Sequence, residues 1–380
     1  MKVAHLCLSN YFIEGQMYQE NELVRCHVEM GHEVLIIAST QIYAKDGGRR
    51  VHVQPGVYHT VPGARLVRVP YWAPFADRIM RKLRAYRGVR RLLEQFSPDC
   101  LVFHGTSAFE LLEVARFAAN RPNMLFYIDN HTDRYNSGKS FFSRQLMHRL
   151  YYGPILRHAV KRTQAVLCNT KDGIEFLEKV YGVPGAAVEY FPLGGRMPEG
   201  KEFQQRRERG RARYNVGVDQ ILIVQAGKQT REKRLEETLE AVSAVGAEGV
   251  RFIIAGSLDE SIAPIVEEYI KSRSFIQWVG WLRAEELLDL LCAADIYLQP
   301  GTQSVTLQQS LCCRCAVVVR SYLSHDMYVN GNGFIIGRDG ALQEILERLK
   351  SSDLKAMGER SYQIAREHLD YGVLARRLLR

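Results

Sequence analysis

The sequence alternates short apolar runs with amphipathic helical patterns through both of its halves, and this alternation is interrupted once. Runs that are apolar throughout suit strands buried on both faces, and such strands joined by helices require parallel sheets. In the first half the spacing predicts strands at 3–8, 34–38, 66–69, 100–103, 124–128 and 165–168. In the second half it predicts them at 221–224, 252–255, 276–279, 296–298, 316–319 and 333–336. The interruption runs from Phe191 to Val218. There Pro192, Gly194, Gly195, Pro198 and Gly200 precede a polar, arginine-rich stretch from Gln204 to Arg213, which reads as a linker. The expectation is an α/β protein with two Rossmann-like, doubly wound parallel-sheet domains facing each other across a cleft at the carboxyl ends of their strands. At 380 residues each domain has enough chain for its own core.

Composition narrows the class. Apolar residues make up 46% and charged residues 24%, the balance of an ordinary globular protein. The absence of an eighteen-residue apolar run predicts no transmembrane helix. The N-terminal apolar region is short for a signal peptide, so the expected location is the cytoplasm. The eight cysteines lie mostly in apolar runs, as reduced buried thiols do. Cys312, Cys313 and Cys315 are spaced too tightly for tetrahedral zinc, and no metal or cofactor is expected.

Charge is uneven. Residues 1–185 hold 25 Lys and Arg against 16 Asp and Glu, and residues 186–380 hold 26 of each, so the whole formal +9 belongs to the first half. It concentrates at Arg78, Arg81, Lys82, Arg84, Arg87, Arg90 and Arg91. Ile79, Leu83, Tyr86, Val89, Leu93 and Phe96 recur there at helical spacing, predicting one helix with an apolar face ringed by arginines. That face packs on the domain core, while the arginine excess suits an anionic membrane surface at the inner face. Nucleic acid is not expected as a partner, because no binding motif accompanies the charge.

The segment Gly227 to Arg234 points to chemistry. It joins an apolar strand to an amphipathic helix carrying Leu235, Leu239 and Val242. Strand, glycine and helix start converge backbone N–H groups on one point, to which Lys228 and Lys233 add two cations. Such a point suits a diphosphate; the bland alternative is a solvated basic helix start.

The order of the pieces resembles the retaining, nucleotide-sugar-dependent glycosyltransferases of family 4, built on the GT-B fold. The resemblance rests on Gly15 before the helix Tyr18–Leu23, Gly31-His32-Glu33-Val34, His104, His131, Asn169-Thr170 and Phe191-Pro192-Leu193-Gly194. It continues through Gly227-Lys228 with Lys233, Ala255-Gly256, Val279-Gly280-Trp281, Glu285-Glu286-Leu287 and Ala294 to Pro300. It implies an acceptor-binding domain over 1–192, a nucleotide-sugar-binding domain over 193–360 and a C-terminal helix in 361–380 crossing back to the first. By the same resemblance His131, Lys228 and Lys233 are catalytic: the lysines neutralise the departing diphosphate and His131 orients the donor sugar. Gly15, Gly227, Gly280, Leu282, Ser304, Val305, Thr306 and Gln309 bind the donor, with His104 and Asp133 on the acceptor side.

One departure stands out. Where the family carries two glutamates eight residues apart, this chain has Gly301 and Gln309. Gln309 retains an amide oxygen for a ribose hydroxyl, and Gly301 leaves the sugar side bare unless Gln303 takes the place. The resulting expectation is metal-independent transfer of a sugar from a nucleoside-diphosphate donor to a glycan or lipid-linked acceptor in cell-surface polysaccharide synthesis. A nucleotide-sugar epimerase and a catalytically silent scaffold are the alternatives.

Overall fold

The computed structural model describes every residue except 44–49, 61–62, 74, 134–136, 138–139, 142, 247, 303 and 350. The chain divides into two compact units, one formed by Met1–Pro192 with Tyr371–Arg380 and the other by Leu193–Asp370. The returning segment was expected from 361. It starts at Tyr371, because Ile364, Ala365 and Leu369 on the long helix Ser351–His368 and just beyond it are buried in the second unit's own core.

The first unit holds β1 (Lys2–Cys7), β2 (Glu33–Ser39), β3 (Gln41–Tyr43), β4 (Arg50–His52), β5 (Gly56–His59), β6 (Arg65–Val69), β7 (Cys100–His104), β8 (Leu125–Asn130), β9 (Ala165–Cys168) and β10 (Val188–Tyr190). Eight of them form one sheet in the order β10-β9-β8-β7-β1-β2-β6-β5, parallel throughout except for β5 against β6, and β3 pairs with β4 separately. The short β3, β4, β5 and β10 were not expected; each mixes polar residues or glycine with its apolar ones, so none shows as an apolar run. Alternate residues face opposite sides: Ala4, Leu6, Leu35, Ile37, Leu101 and Phe103 enter one buried cluster, and Val3, Val34, Ile36, Cys100 and Val102 enter clusters on the other side. Each fully buried Leu or Ile contributes about 1.5–3 kcal/mol, so both faces must be covered by helices.

The expected arginine-ringed helix is two helices, Asp77–Leu83 and Val89–Phe96. Arg84 at φ 54° and Gly88 at φ 78° break it. Ile79, expected inward, is half exposed, and Met80 is buried instead. Arg84 does not face solvent with the others: its guanidinium donates to Ser9 Oγ at 2.9 Å and Ser107 O at 2.7 Å, pinning two loops.

The second unit holds β11 (Ile221–Ala226), β12 (Val250–Ala255), β13 (Ile276–Trp278), β14 (Ile296–Gln299), β15 (Ala316–Arg320) and β16 (Gly333–Ile336), all parallel, in the order β13-β12-β11-β14-β15-β16. This is the doubly wound order in which chain direction across the sheet reverses between the first and fourth strands. The stretch read as a linker folds into the helix Gly200–Arg213. Its cohesion is ionic: Arg206 reaches Asp289 at 2.8 Å and Glu285 at 2.9 Å, Arg207 reaches Asp295 at 2.6 Å, and Arg209 reaches Asp289 at 2.9 Å. Gly210 lets it close on the helix Ala284–Ala293, since a Cβ there would lie 2.4 Å from Asp289 O. Charge pairing leaves no apolar period for the sequence to display.

Candidate functional site

In the second unit the loops after β11 and β14 follow neighbouring strands at the switch point of the sheet, where folds of this class bind ligands. After β11 the chain turns through Gly227 at φ 122°, passes Lys228, forms a short turn Arg231–Lys233, and enters the helix Leu235–Val245 through Arg234 at φ 52°. A separate turn therefore carries Lys233, where one continuous helix start was expected. Lys228 is exposed and Lys233 half-buried. Lys233 Nζ donates to Thr302 O at 2.6 Å, and Thr302 N donates to Glu232 O at 2.9 Å, so the two loops are stitched together. Burial is the main influence on Lys233 and outweighs Glu232, lowering its pKa to about 8.

Gly301 is what permits this stitching. A Cβ there would lie 2.0 Å from Glu232 O and 2.6 Å from Lys233 Cα. The position that carries an acidic side chain in the resembled family is here filled by the Lys233 turn itself. Three buried glutamines, not anticipated from the sequence, hold the arrangement. Gln225 Nε2 donates to Lys233 O at 3.2 Å and to Gln229 Oε1 at 3.0 Å, Gln229 Nε2 donates to Gly227 O at 3.1 Å, and Gln299 Nε2 donates to Thr302 O. The only sequence signal was polar residues inside or beside apolar strand runs.

Ser304, Val305 and Thr306 begin the short helix Thr306–Cys312 beside this turn, with Ser304 Oγ 3.4 Å from where a Gly227 Cβ would stand. Gln303 lies outside the described residues. Gln309 is buried, and its amide is engaged with the chain: Oε1 accepts from Arg196 N at 2.9 Å and Nε2 donates to Arg196 O at 2.8 Å. The expected ribose contact thus falls on a side chain clamping its own backbone. Gly280, at φ 70°, follows β13, accepts from Gly256 N at 2.7 Å, and precedes half-buried Leu282. Among the described residues, no group of three or more His, Cys, Asp or Glu is arranged to hold a metal ion, and Cys312, Cys313 and Cys315 are buried free thiols.

In the first unit the corresponding loops follow β1 and β7. Gly15 turns the first loop at φ 78° with open space around its Cβ position, so backbone conformation is what requires glycine there. His131, just past β8, places Nε2 at 2.7 Å from Asp129 Oδ2, with Asn169 Nδ2 at 3.1 Å from its Nδ1. Burial lowers the His131 pKa, but the charge and hydrogen bond of Asp129, with Glu20 adding, raise it to about 9. A doubly protonated ring requires Asn169 to present its amide oxygen in place of its nitrogen. Burial would raise the pKa of Asp129; the charge of His131 and the bonds from His104 and His131 outweigh it and hold this carboxyl well below the usual range. Half-buried Asp133 follows two residues after His131.

His104 was expected to meet an acceptor. It is fully buried, with Nδ1 3.1 Å from Asp129 Oδ2 and Nε2 3.0 Å from His5 Nδ1, so no solute reaches it in this structure. Strand pairing explains this, because β7 and β8 pair in register with His104 directly beside Asp129. Asp129, His5 and Glu20 were not singled out in the sequence, where each looks like one polar residue in or beside an apolar run. Among the described residues, no helix is long and apolar enough to cross a membrane.

Residues 18–194 match the model of the glycosyl transferase 4-like domain. No match was found among the curated proteins. Among solved structures the chain is similar to sucrose-phosphate synthase from Thermosynechococcus elongatus, with a TM-score of 0.69 and 13% identity over 99% of this chain and 97% of that one. It is also similar to WaaG, a glycosyltransferase involved in lipopolysaccharide biosynthesis, with a TM-score of 0.63 and 18% identity over 99% and 98%. HepE of Anabaena in complex with UDP gives a TM-score of 0.64 and 13% identity over 100% and 98%. The match over residues 18–194 makes this part of the chain similar to the glycosyl transferase 4-like domain, and its two units carry the GT-B fold.

Proposed function

We propose that this protein is a retaining glycosyltransferase that moves a sugar from a nucleoside-diphosphate donor to a glycan or lipid-linked glycan, in cell-surface polysaccharide synthesis. The observation that carries this reading is the cationic turn at the switch point of the second sheet, where Lys233 is held by Thr302 O at 2.6 Å beside Gly227 and Lys228. Cations preorganised at a strand end stabilise a leaving diphosphate without rearranging during the reaction. Uridine donors are the first to test, since HepE is described in complex with UDP and with UDP-glucose. Lys228 and Lys233 would supply the charge, with no metal required, and His131, anchored on Asp129, would orient the sugar. Same-face transfer asks for orientation and charge stabilisation more than for a protein nucleophile. The exposed arginines of the first unit would bring the protein to an anionic inner membrane surface.

A catalytically silent, donor-binding scaffold is the second reading. It is favoured by the bare backbone at Gly301 and by the Gln309 amide engaged with Arg196. Release of UDP from a panel of UDP-sugars, with and without lipid-linked glycan acceptors, separates the two. Acceptor-dependent release establishes transfer; donor binding with no release across the panel establishes the scaffold.

A further inference from the structure

Behind His131 a row of hydrogen bonds crosses the first unit. From Asp129 Oδ2 it passes to His104 Nδ1 at 3.1 Å, from His104 Nε2 to His5 Nδ1 at 3.0 Å, and from His5 Nε2 to His27 Nδ1 at 3.0 Å. It ends with His27 Nε2 at 3.1 Å from the carbonyl oxygen of Ala375, on the returning helix Tyr371–Arg377. His5, His27 and His104 are each fully buried. The row exists because β1, β7 and β8 pair side by side, with Cys100 opposite Val3 and His104 opposite Asp129. Residues 5, 104 and 129 thereby share the face covered by the helix Gln19–Glu29.

Both ends, a carbonyl oxygen and a carboxylate, only accept. Four hydrogen bonds need four protons, and three neutral imidazoles carry three. Starting from Ala375, His27 must donate through Nε2, His5 through Nε2 and His104 through Nε2, which leaves His104 Nδ1 needing a further proton to reach Asp129. Omitting that proton would leave a buried acceptor facing a buried acceptor, at a cost of about 1–3 kcal/mol or more. A second ring nitrogen, His131 Nε2, stands 2.7 Å from the same Asp129 oxygen.

We propose that His27, His5 and His104 form a positioning relay that holds one proton more than three neutral rings. This relay fixes Asp129 as a carboxylate and so commits Nε2 of His131 to donating into it. The other titratable groups around the row are Glu20, Cys7 and His32. Burial raises Glu20 and Cys7, and the ring of His32 stands 6.2 Å from that of His27. Burial, with the neighbouring rings, holds His5 well down, and burial brings His27 to about 4; it is the direction of the bonds that leaves His104 Nδ1 in need of the further proton. Only the consequence for turnover rests on the proposed transfer function; the proton count stands on the geometry alone.

The test is nitrogen-15 spectroscopy of the full-length chain with labelled histidine, the rings assigned by single replacements. In the unmodified protein near pH 7, His5 and His27 should be neutral with the proton on Nε2, and His104 should carry protons on both nitrogens. His27→Leu removes the carbonyl end, so two neutral rings satisfy the remaining two bonds. His104 should then lose its second proton, and His5 should switch its proton from Nε2 to Nδ1. His27→Gln offers a donor to Ala375 and an acceptor to His5, and should restore the original pattern. A neutral His104 in the unmodified protein, or an unchanged His5 tautomer in a folded His27→Leu, overturns the relay. If His27→Leu does not fold, the state of His104 and the His27→Gln spectrum still decide. With the spectral changes present, an unaltered kcat in His27→Leu refutes the role of His131 in transfer and leaves the relay intact.

Discussion

Replacing Gly301 by alanine tests whether the cationic turn is built by backbone contact. An added Cβ would stand 2.0 Å from Glu232 O, 2.6 Å from Lys233 Cα and 2.7 Å from Lys233 C, all backbone atoms that no rotamer change can move. Relief to an ordinary contact of at least 3.4 Å demands a shift of about 1.4 Å between the two loops. That shift breaks the bond from Thr302 N to Glu232 O, now 2.9 Å, and draws Thr302 O away from Lys233 Nζ. Overpacking costs about 1–3 kcal/mol and the lost hydrogen bond about 1 kcal/mol more. Gly301 is not among the positive-φ residues. Without a clash, alanine would therefore stabilise by about 0.4–1 kcal/mol through the unfolded chain. The sign of the effect thus discriminates. Calorimetry of the full chain should show a transition lowered by roughly 5–10 °C, at about 2–4 °C per kcal/mol for a unit of this size. Titration with UDP should show a loss on the order of a hundredfold, as a 1 Å misplacement of a charged contact can produce. A transition unchanged or raised, with UDP affinity intact, would refute the reasoning.

Lys233→Ala should slow transfer by about two orders of magnitude. Because its pKa is lowered to about 8, the charged form that grips a diphosphate is lost as pH rises through that value. UDP affinity measured by calorimetry should hold below about pH 7 and decline above pH 8, well before an ordinary lysine titrates; the same decline in Lys233→Met would contradict this. Arg206→Ala should cost about 1–2 kcal/mol in denaturant unfolding, since Arg206 is largely buried among Glu202, Asp289 and Glu285. Arg213→Ala, half exposed against Glu286, should cost under about 1 kcal/mol, and equal losses would sink the helix-pairing argument. Neutralising exposed Arg78, Lys82 and Arg91 together should weaken binding to anionic vesicles about a hundredfold, at about 1 kcal/mol per residue, with Arg84 left in place because it pins Ser9 and Ser107. Binding equal to that of the unmodified chain would remove the membrane surface from the proposal.

The sequence determined twelve of the sixteen strands, the change of domain near Pro192 and the cationic turn at Gly227–Arg234, because each is written in neighbouring residues: an apolar run, a proline–glycine cluster, a glycine followed by lysines. It did not determine which polar residues inside the strands matter. His5, His104 and Asp129 come from three separate strands, and only pairing between β1, β7 and β8 sets them in line. The helix Gly200–Arg213 escaped because its cohesion lies in ion pairs to residues some eighty positions away, and such pairs leave no period along the chain. Gly301 looked like a missing carboxylate, and only the tertiary approach of Lys233 revealed that a side chain has no room there. Local pattern is encoded by neighbours along the chain; register, burial and close approach arise between distant segments, and those set the geometry of both candidate sites.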